Sequence, residues 1–425
     1  MSHYKGRKEK LFLKLQSDRE KIPDNKIAIT LQNRTTLPMS HMYNRKTVFT
    51  SACVGMLLFG VCLITLGSII PDLKAKIGLD DISSGTLFSI LPFGILTGSL
   101  IFGPFCDKFG YKLMMVLSAF LMFLGFMALA NVSSLGLLKV SIFFFGLAGG
   151  AINGATNALV SDLSDKNKGA NLSLLGVFFG IGALGMPFIL GLLKDVFSFE
   201  VILSAVGFLT LIAGLYFLLI KFPPPKHTGT VPVKEGLNLL KDSTLLLIAF
   251  FLFFQSSFEG LIQNWTTSYL TEGLAIPQNK ALFALTAFIS GMVVMRLLIG
   301  SLLRSVATAK ILIVSFALTL MALLMIKAGD TYFAAVAGLF ILGTGLAGGF
   351  PIMLGFVGDR YVRLSGTAFS IAFVIALSGN MLVNYLMGII AQKYGIHHLM
   401  NITFVLLAAI MILGTVILRR QKLQI

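Results

Sequence analysis

Twelve apolar segments, each long enough to cross a lipid bilayer, dominate this chain of 425 residues. A transmembrane helix needs about 20 mostly apolar residues, and lipid offers no partner to an unpaired backbone group. The polar gaps between the segments are short, except for the one after the sixth. The sequence therefore predicts an all-α integral membrane protein. Its twelve transmembrane helices are expected near residues 48–70, 85–104, 111–131, 136–161, 171–193, 198–220, 243–270, 281–302, 309–328, 331–356, 367–391 and 399–418.

Composition agrees with a membrane protein and argues against an enzyme or a nucleic-acid-binding protein. Only 12% of the residues are charged and the mean hydropathy is +0.88, whereas soluble domains are about 25% charged. The net charge of +16 is spread over the gaps between apolar segments and forms no single basic patch. The sequence shows no metal-ligand cluster, phosphate-binding glycine loop or nucleophile–base pair, and its three cysteines suggest no disulfide framework. We expect no enzymatic activity, no cofactor and no metal, and a monomeric state.

The distribution of basic residues predicts the orientation in the membrane. With a cytoplasmic N-terminus, 26 of the 34 Lys and Arg residues fall on the cytoplasmic side and seven on the opposite side. Cytoplasmic segments of membrane proteins carry such an excess of positive charge. Residues 1–46 are polar and lack an apolar core of signal-peptide length, so we interpret them as a disordered cytoplasmic extension. The prediction is a multi-pass protein of the cell (inner) membrane with both termini in the cytoplasm.

The second half of the chain repeats features of the first, which predicts two pseudo-symmetric six-helix halves. The motif Gly-Leu-Ala-Gly-Gly begins at Gly146 and again at Gly345. Three further pairs lie 197 positions apart: Gly103 with Gly300, Asp162 with Asp359, and Gly191 with Gly388. Duplicated halves around a midplane binding site are a recurring plan of secondary transporters. We assign residues 47–221 to an N-terminal half, 222–242 to a cytoplasmic linker, 243–418 to a C-terminal half and 419–425 to a cytoplasmic tail.

The loop between the second and third segments reads Gly103-Pro104-Phe105-Cys106-Asp107-Lys108-Phe109-Gly110-Tyr111-Lys112. Its glycines permit a tight turn, its carboxylate can meet a helix N-terminus in the other half, and its bases favour the cytoplasm. The pattern resembles the corresponding loop of major facilitator transporters. That resemblance implies gating roles for Gly103, Asp107, Lys108, Gly110 and Lys112. An ordinary positively charged turn is the alternative, and the matching loop of the second half, after Gly300, lacks the acid.

Polar side chains cluster in the seventh segment, although they are costly in hydrocarbon. Gln255, Glu259 and Gln263 follow one another at intervals of four and share one helical face, close to Asn264 and Trp265. Amides can both donate to and accept from hydroxyl groups, and an aromatic ring can cover the apolar face of a sugar. We expect these five residues to bind the substrate. Glu259 is also expected to couple transport to protons, because coupling needs a group whose charge changes during the cycle. A stripe that only holds helices together is the alternative.

Four asparagines and one arginine complete the set of candidate residues. Asn153 and Asn157 share a face of the fourth segment, and Asn380 and Asn384 share a face of the eleventh. They are candidates for substrate binding, with hydrogen bonding between helices as the alternative. Arg296 lies in the cytoplasmic half of the eighth segment and is assigned to gating. Three prolines are expected to kink or end helices: Pro71, Pro187 and Pro351.

Residues 176–187, in the fifth segment, resemble span 5 of the fucose permease-like branch of major facilitator transporters. Residues 153–157, 259–265 and 345–351 resemble the same branch. The resemblance implies symport of a sugar such as fucose, galactose or glucose with protons. Members of the branch often carry a glutamate where this chain has Asn153, and the first segment here has no acid. Coupling then depends on Glu259, unless the protein is a uniporter.

The expected function is secondary active transport of a small neutral polar solute, with a sugar as the first choice. A drug or metabolite:proton antiporter is the second choice. Its glycine-proline signature is matched only imperfectly, by Gly185-Met186-Pro187. A membrane sensor or enzyme that transports nothing is the third choice. The expected partners are the substrate, protons and the lipid bilayer, with no nucleic acid.

Overall fold

The computed structural model describes residues 43–164, 168–224, 239–329, 331–361 and 365–422. The chain divides into two units, Met1–Lys46 and Thr47–Ile425. Residues 43–46 are the only described part of the first unit. The predictions for the rest of the N-terminal extension, for most of the linker and for the end of the tail therefore lie outside the described residues.

The described ranges form twelve long helices, which we label α1 to α12 in chain order. They are α1 Arg45–Ile77, α2 81–109, α3 111–130, α4 Leu135–Leu163, α5 Lys168–Leu193, α6 Phe199–Leu219, α7 Ser243–Ser268, α8 Gln278–Ser305, α9 Thr308–Ala328, α10 Tyr332–Leu346 with Gly349–Arg360, α11 Ser365–Tyr394 and α12 Leu399–Lys422. Within these described ranges, eleven segments are long and apolar enough to cross a membrane. One of them, Asp81–Ala130, has 50 residues and consists of α2 and α3. The prediction of an all-α protein with twelve spans is confirmed.

A single glycine separates α2 from α3. Gly110 has φ 84° and ψ 163°, a backbone conformation that L side chains rarely adopt. The chain therefore turns at this residue between two spans that otherwise read as one continuous apolar helix. The sequence of this loop predicted that its glycines permit a tight turn, and Gly110 is the residue at which the turn occurs.

Side-chain caps and one proline set several of the helix ends. Asp80, Ser134, Asp242 and Thr331 precede α2, α4, α7 and α10, and each accepts a hydrogen bond from a backbone N–H of the first turn. Helix α10 is interrupted at residues 347 and 348. The interruption has a direct cause, because Pro351 has no N–H to donate to the carbonyl four residues earlier. The other two prolines of this prediction, Pro71 and Pro187, lie inside uninterrupted helices.

Helices α2 and α4 pack with their backbones in contact, and α8 and α10 repeat this packing in the second half. A Cβ at Gly94 would lie 2.3 Å from the carbonyl oxygen of Phe143, and one at Gly291 would lie 2.0 Å from that of Phe340. Each residue of the second pair stands 197 positions after its counterpart. The structural repeat therefore runs at a spacing of 197. The two copies of the Gly-Leu-Ala-Gly-Gly motif lie 199 positions apart. The second copy therefore begins two residues after the position that is structurally equivalent to Gly146.

Gly98 makes the same kind of contact, and we expect Gly98→Ala to destabilise the protein. A Cβ there would lie 2.0 Å from the carbonyl oxygen of Leu147, so α2 and α4 must separate. Overpacking of this kind costs about 1–3 kcal/mol. Thermal unfolding in detergent measures the effect. Gly176→Ala is the matched control, because no atom lies within 4 Å of its Cβ position. Equal unfolding temperatures for the two variants would contradict this account of the packing.

Among the described residues, the two halves meet along the helix pairs α1–α7, α2–α11 and α5–α8. We call the side with the α2–α3, α4–α5, α8–α9 and α10–α11 connections proximal and the opposite side distal. Ser89 of α2 donates a hydrogen bond to the carbonyl of Met381 in α11 at 2.6 Å. A Cβ at Gly67 of α1 would lie 2.3 Å from the carbonyl oxygen of Gln263 in α7. These contacts lie in the distal parts of the helices, so the halves converge on the distal side.

Candidate functional site

A cavity of about 530 Å³ lies between the two halves, toward the proximal side of these contacts. Eight helices contribute to its wall, four from each half: α1, α2, α4 and α5, and α7, α8, α10 and α11. Six phenylalanines form much of the lining: Phe59, Phe102, Phe179, Phe350, Phe369 and Phe373. The cavity is therefore an aromatic chamber in which a few polar groups stand out.

Most of the polar lining comes from the second half. Helix α7 contributes Ser256, Glu259, Gln263 and Asn264, α8 contributes Arg296, and α11 contributes Ser370 and Asn380. The first half contributes Ser99 from α2 and Asn153 from α4. Such a wall offers donors and acceptors to one face of a bound molecule, while the aromatic rings cover its other faces.

Glu259 and Arg296 form an ion pair at the wall of the cavity. The Nη2 atom of Arg296 lies 3.2 Å from Oε2 of Glu259. The carboxylate is nearly enclosed, with 10% of its side chain exposed, whereas 33% of the Arg296 side chain is exposed. Among the described residues that line the cavity, these two are the charged ones. The cavity therefore holds one positive and one negative group whose charges cancel.

Gln255 links this ion pair to the interruption of α10. Its Nε2 atom donates a hydrogen bond to Oε1 of Glu259 at 2.9 Å and another to the carbonyl of Leu346 at 2.8 Å. Leu346 is the last residue of the first part of α10. Gly349 leaves room for the amide, since a Cβ there would lie 2.7 Å from Oε1 of Gln255. Three helices, α8, α7 and α10, are thus joined by consecutive polar contacts.

A second polar network holds α7 against α11. Oδ1 of Asn384 accepts hydrogen bonds from Nδ2 of Asn264 and from Nε1 of Trp265, each at 3.1 Å. Asn384 donates to Oδ1 of Asn380 at 3.0 Å, and Asn380 donates to the carbonyl of Ser256 at 3.0 Å. Trp265 is fully buried, and its indole N–H is one of the donors in this network. These contacts match the alternative in which amides join helices.

The nine residues predicted to bind substrate fall into two groups. Five line the cavity: Asn153, Glu259, Gln263, Asn264 and Asn380. Four lie outside its lining: Asn157, Gln255, Trp265 and Asn384. Asn157 donates to Oδ1 of Asn153 at 2.9 Å and so orients that side chain from within α4. The four outside the lining therefore support the residues that face the cavity.

The residues predicted to gate the protein are found in two places. Asp107 and Lys108 are exposed at the end of α2, and the Lys108 ammonium lies 5.1 Å from the ring centre of Phe109. Gly103 has no atom within 4 Å of its Cβ position, and Gly110 forms the turn. Lys112 follows in the first turn of α3, where it is half-buried. Arg296 is separate from this loop, because it faces the cavity and pairs with Glu259.

The phenylalanines and serines of the lining are functional positions that the sequence pattern did not predict. A helix in lipid is apolar around its whole circumference, so an inward-facing apolar residue leaves no periodic signal. On α2, the lining positions Leu91, Ile95 and Ser99 follow one another at intervals of four. That spacing indicates that the three residues share one helical face. Whether the face borders the cavity, another helix or lipid is evident only from the packed structure.

Ion pairs and a hydrogen bond join helix ends on the distal side. Lys74 of α1 pairs with Asp81 at the start of α2 and with Glu272 after α7, the latter at 2.9 Å. Asp72 of α1 pairs with Lys194 and accepts a hydrogen bond from Gln278 of α8 at 2.7 Å. We call these six residues the distal clasp. Its contacts from Lys74 to Glu272 and from Asp72 to Gln278 join the two halves.

Comparison with known proteins agrees with this arrangement. Residues 49–382 match the family model described as Major Facilitator Superfamily. The chain is 25% identical to the uncharacterized transporter y4wD of Sinorhizobium fredii, covering 81% of this chain and 92% of that protein. It is 24% identical to the glucose/mannose transporter GlcP of Bacillus subtilis, covering 85% and 92%. It is also 24% identical to the multidrug resistance protein MdtG of Proteus mirabilis, covering 80% and 88%.

The fold is similar to that of a solved transporter. The crystal structure of the nucleoside transporter NupG superposes with a TM-score of 0.72 at 14% sequence identity, over 88% of this chain and 98% of that one. The relatives and the fold are those of transporters and not of enzymes. With twelve spans, duplicated halves and a family match that covers most of its length, the chain belongs to the Major Facilitator Superfamily of membrane transporters.

Proposed function

We propose that the protein is a secondary active transporter that moves a small hydroxylated solute of the sugar class across the cell membrane, coupled to protons at Glu259. The observation that carries the proposal is the Glu259–Arg296 pair in a cavity between the two halves. Alternating exposure of this cavity would carry a solute across the bilayer as the halves rock.

The polar wall supports a sugar as the substrate. Amide groups of Asn153, Gln263 and Asn380 can donate to and accept from several hydroxyls at once. The phenylalanine rings can cover the apolar face of a pyranose ring. A relative named as a glucose/mannose transporter matches most of the chain, which agrees with this assignment.

Proton coupling is assigned to Glu259 for a physical reason. It is the acidic residue in the described lining of the cavity, and its partner Arg296 lies on a different helix. Protonation would remove the charge that holds Arg296, so a proton can change the packing of α7 against α8. Uniport remains the alternative if this pair stays intact throughout the cycle.

The positive-inside pattern places the proximal side in the cytoplasm. With this orientation, we propose a state in which the distal clasp closes the outer side and the cavity is reached from the cytoplasm. We also propose that residues 1–46, the linker 222–242 and the tail 419–425 belong to the cytoplasmic side, with the halves at 47–221 and 243–418.

Efflux of amphipathic or aromatic compounds is the second candidate function. The six phenylalanines of the lining favour it, because aromatic walls bind flat apolar molecules with little need for specific hydrogen bonds. A relative named as a multidrug resistance protein matches 80% of the chain.

Transport by the purified protein in proteoliposomes tests the proposal. Labelled hexoses and hexuronates are presented with and without an imposed proton gradient, and a cationic dye is presented in parallel. We expect at least one of these sugar-class solutes to accumulate only when the gradient is present. Gradient-driven movement of the dye with no movement of any hexose or hexuronate would favour the efflux candidate and reject the sugar assignment.

We expect Asp107→Asn to slow transport while the protein still folds. In the state that is closed to the cytoplasm, the Asp107 carboxylate is proposed to meet a helix N-terminus of the second half. Such a contact contributes about 0.3–1 kcal/mol and up to ~2 kcal/mol, so the rate should fall by roughly thirtyfold at most. Asp107→Glu is the matched control that keeps the charge. Normal transport by the Asn variant would reject the gating role.

A further inference from the structure

The Arg296 guanidinium has unused hydrogen-bonding capacity inside the cavity. A guanidinium carries five N–H donors. Its one contact with Glu259 uses Nη2, and Nε and Nη1 have no hydrogen-bond partner among the described residues. With 33% of the side chain exposed, these donors can reach a molecule in the cavity. A guanidinium with free N–H groups in an aromatic chamber is suited to a planar anionic group such as a carboxylate.

The charge balance of the cavity decides which substrates can accompany a proton. When Glu259 is ionised, the cavity carries one negative and one positive charge and is neutral. Amides and hydroxyls from α2, α4, α7 and α11 complete the polar lining and add no charge. An empty carrier therefore reorients without an unbalanced charge. This matters because an unpaired ion in a low-dielectric interior is strongly unfavourable.

A proton on Glu259 leaves Arg296 as an unbalanced positive charge. A neutral solute cannot correct this, so the loaded cavity would keep a net charge of +1. A cationic solute would raise the net charge further. A solute with one negative charge restores neutrality, because its anionic group can replace the Glu259 carboxylate as the partner of Arg296.

We propose that the substrate is a hydroxylated monocarboxylic acid, a sugar acid, which crosses together with one proton. This inference rests on the proposed function, because it takes Glu259 as the coupling site. Arg296 binds the carboxylate, the amides of Asn153, Gln263 and Asn380 hold the hydroxyls, and the phenylalanine rings cover the apolar face.

The proton and the charges balance over one cycle. On the outer side a proton binds Oε2 of Glu259, the contact with Nη2 of Arg296 breaks, and the guanidinium pairs with the substrate carboxylate. On the cytoplasmic side the carboxylate leaves, Glu259 releases its proton to water, and the Glu259–Arg296 pair forms again. One monoanion and one proton have crossed, so the transport is electroneutral.

Three probes that share one ring and differ in charge test the proposal. Glucuronate, glucose and glucosamine carry charges of about −1, 0 and +1 at neutral pH. Each is presented to proteoliposomes that contain a pH-sensitive dye, with and without an imposed potassium diffusion potential. We expect glucuronate to enter, to acidify the lumen and to be insensitive to the potential. We expect glucose and glucosamine to enter at least roughly tenfold more slowly, because each leaves an unpaired buried charge.

Variants of the arginine test its role directly. Arg296→Gln should raise the KM for glucuronate by roughly tenfold or more, because it removes a charged hydrogen-bond donor. Arg296→Lys should be less affected, since it keeps the charge. Arg419→Gln is the matched control, because Arg419 is exposed at the end of α12. Arg296→Gln leaves Glu259 unpaired, and this variant could fail to fold. In that case the double variant Glu259→Gln/Arg296→Gln is used, because it keeps the cavity neutral. It should bind glucuronate no better than glucose.

The outcomes separate this proposal from the proposed function. Entry of glucose with protons, driven by the potential, while glucuronate stays outside would overturn the sugar acid and leave coupling at Glu259 intact. Equal KM values for glucuronate in the wild type and in Arg296→Gln would overturn the role of Arg296. Solute entry without any proton movement would reject coupling at Glu259, and with it the sugar acid. Absence of glucuronate transport would also overturn the sugar acid.

Discussion

Glu259→Gln is expected to abolish accumulation of the substrate against its gradient, while exchange of labelled for unlabelled substrate continues. The glutamine is nearly the same size, and its one amide oxygen can still accept a hydrogen bond from Arg296, although the contact that Gln255 makes with the second carboxylate oxygen is lost. It cannot bind and release a proton, so the proton gradient no longer drives uptake. The ratio of internal to external substrate should fall to roughly one, the value at equilibrium.

Proton-driven uptake and counterflow, measured on the same proteoliposomes, distinguish the outcomes for Glu259→Gln. Glu200→Gln is the matched control, because Glu200 pairs with Lys76 at 3.2 Å within the first half and away from the cavity. Accumulation at the wild-type level by Glu259→Gln would show that coupling lies elsewhere. Loss of both activities in a folded protein would make Glu259 a direct substrate ligand.

Lys74→Glu is expected to prevent closure of the distal side and to reduce transport by roughly an order of magnitude or more. The Lys74 ammonium lies between the carboxylates of Asp81 and Glu272, and 15% of its side chain is exposed. Reversal of its charge places three carboxylates together in a partly enclosed space, where like charges repel strongly. The halves then favour the state that is open on the distal side.

Initial uptake rates measure the effect of Lys74→Glu. The double variant Lys74→Glu/Glu272→Lys restores a positive charge at this point of the clasp and should recover much of the rate. Lys76→Glu is the control, because the contacts of Lys76 with Glu200 and with the carbonyl of Ala130 stay within the first half. Unchanged uptake by Lys74→Glu, or failure of the charge exchange to restore it, would show that the clasp does not control closure.

The positions of the spans could be predicted closely because lipid imposes a length and a composition on every helix. The segment predicted at 243–270 is α7, Ser243–Ser268, and the one predicted at 309–328 is α9, Thr308–Ala328. The turn at Gly110 and the interruption before Pro351 also follow from local backbone chemistry. Pro71 and Pro187 show the limit of this reasoning, since the same residue type lies inside continuous helices.

The presence of polar residues in apolar segments was enough to identify candidate site residues. It was not enough to distinguish residues that face the cavity from residues that hydrogen-bond a neighbouring helix. Gln255, Glu259 and Gln263 share a face of α7 in the sequence pattern. In the structure, Gln263 lines the cavity, whereas Gln255 is 2% exposed and binds Leu346 of α10. The indole of Trp265 is a donor to Asn384 and is absent from the described lining. Which role each residue has depends on the neighbouring helix, and the spacing along one helix does not contain that information.

The sequence by itself determined the membrane environment, the helix count and the duplicated halves, because hydropathy and glycine spacing are local properties of the chain. Only the tertiary structure decided that Arg296, 37 positions from Glu259, is its partner and faces the cavity. It also decided that the distal clasp joins α1 to the chain after α7, through Lys74 and Glu272, and to α8, through Asp72 and Gln278. These pairings depend on how helices that are apolar on all sides rotate and pack against one another. In lipid, no hydrophobic periodicity records that rotation along the chain.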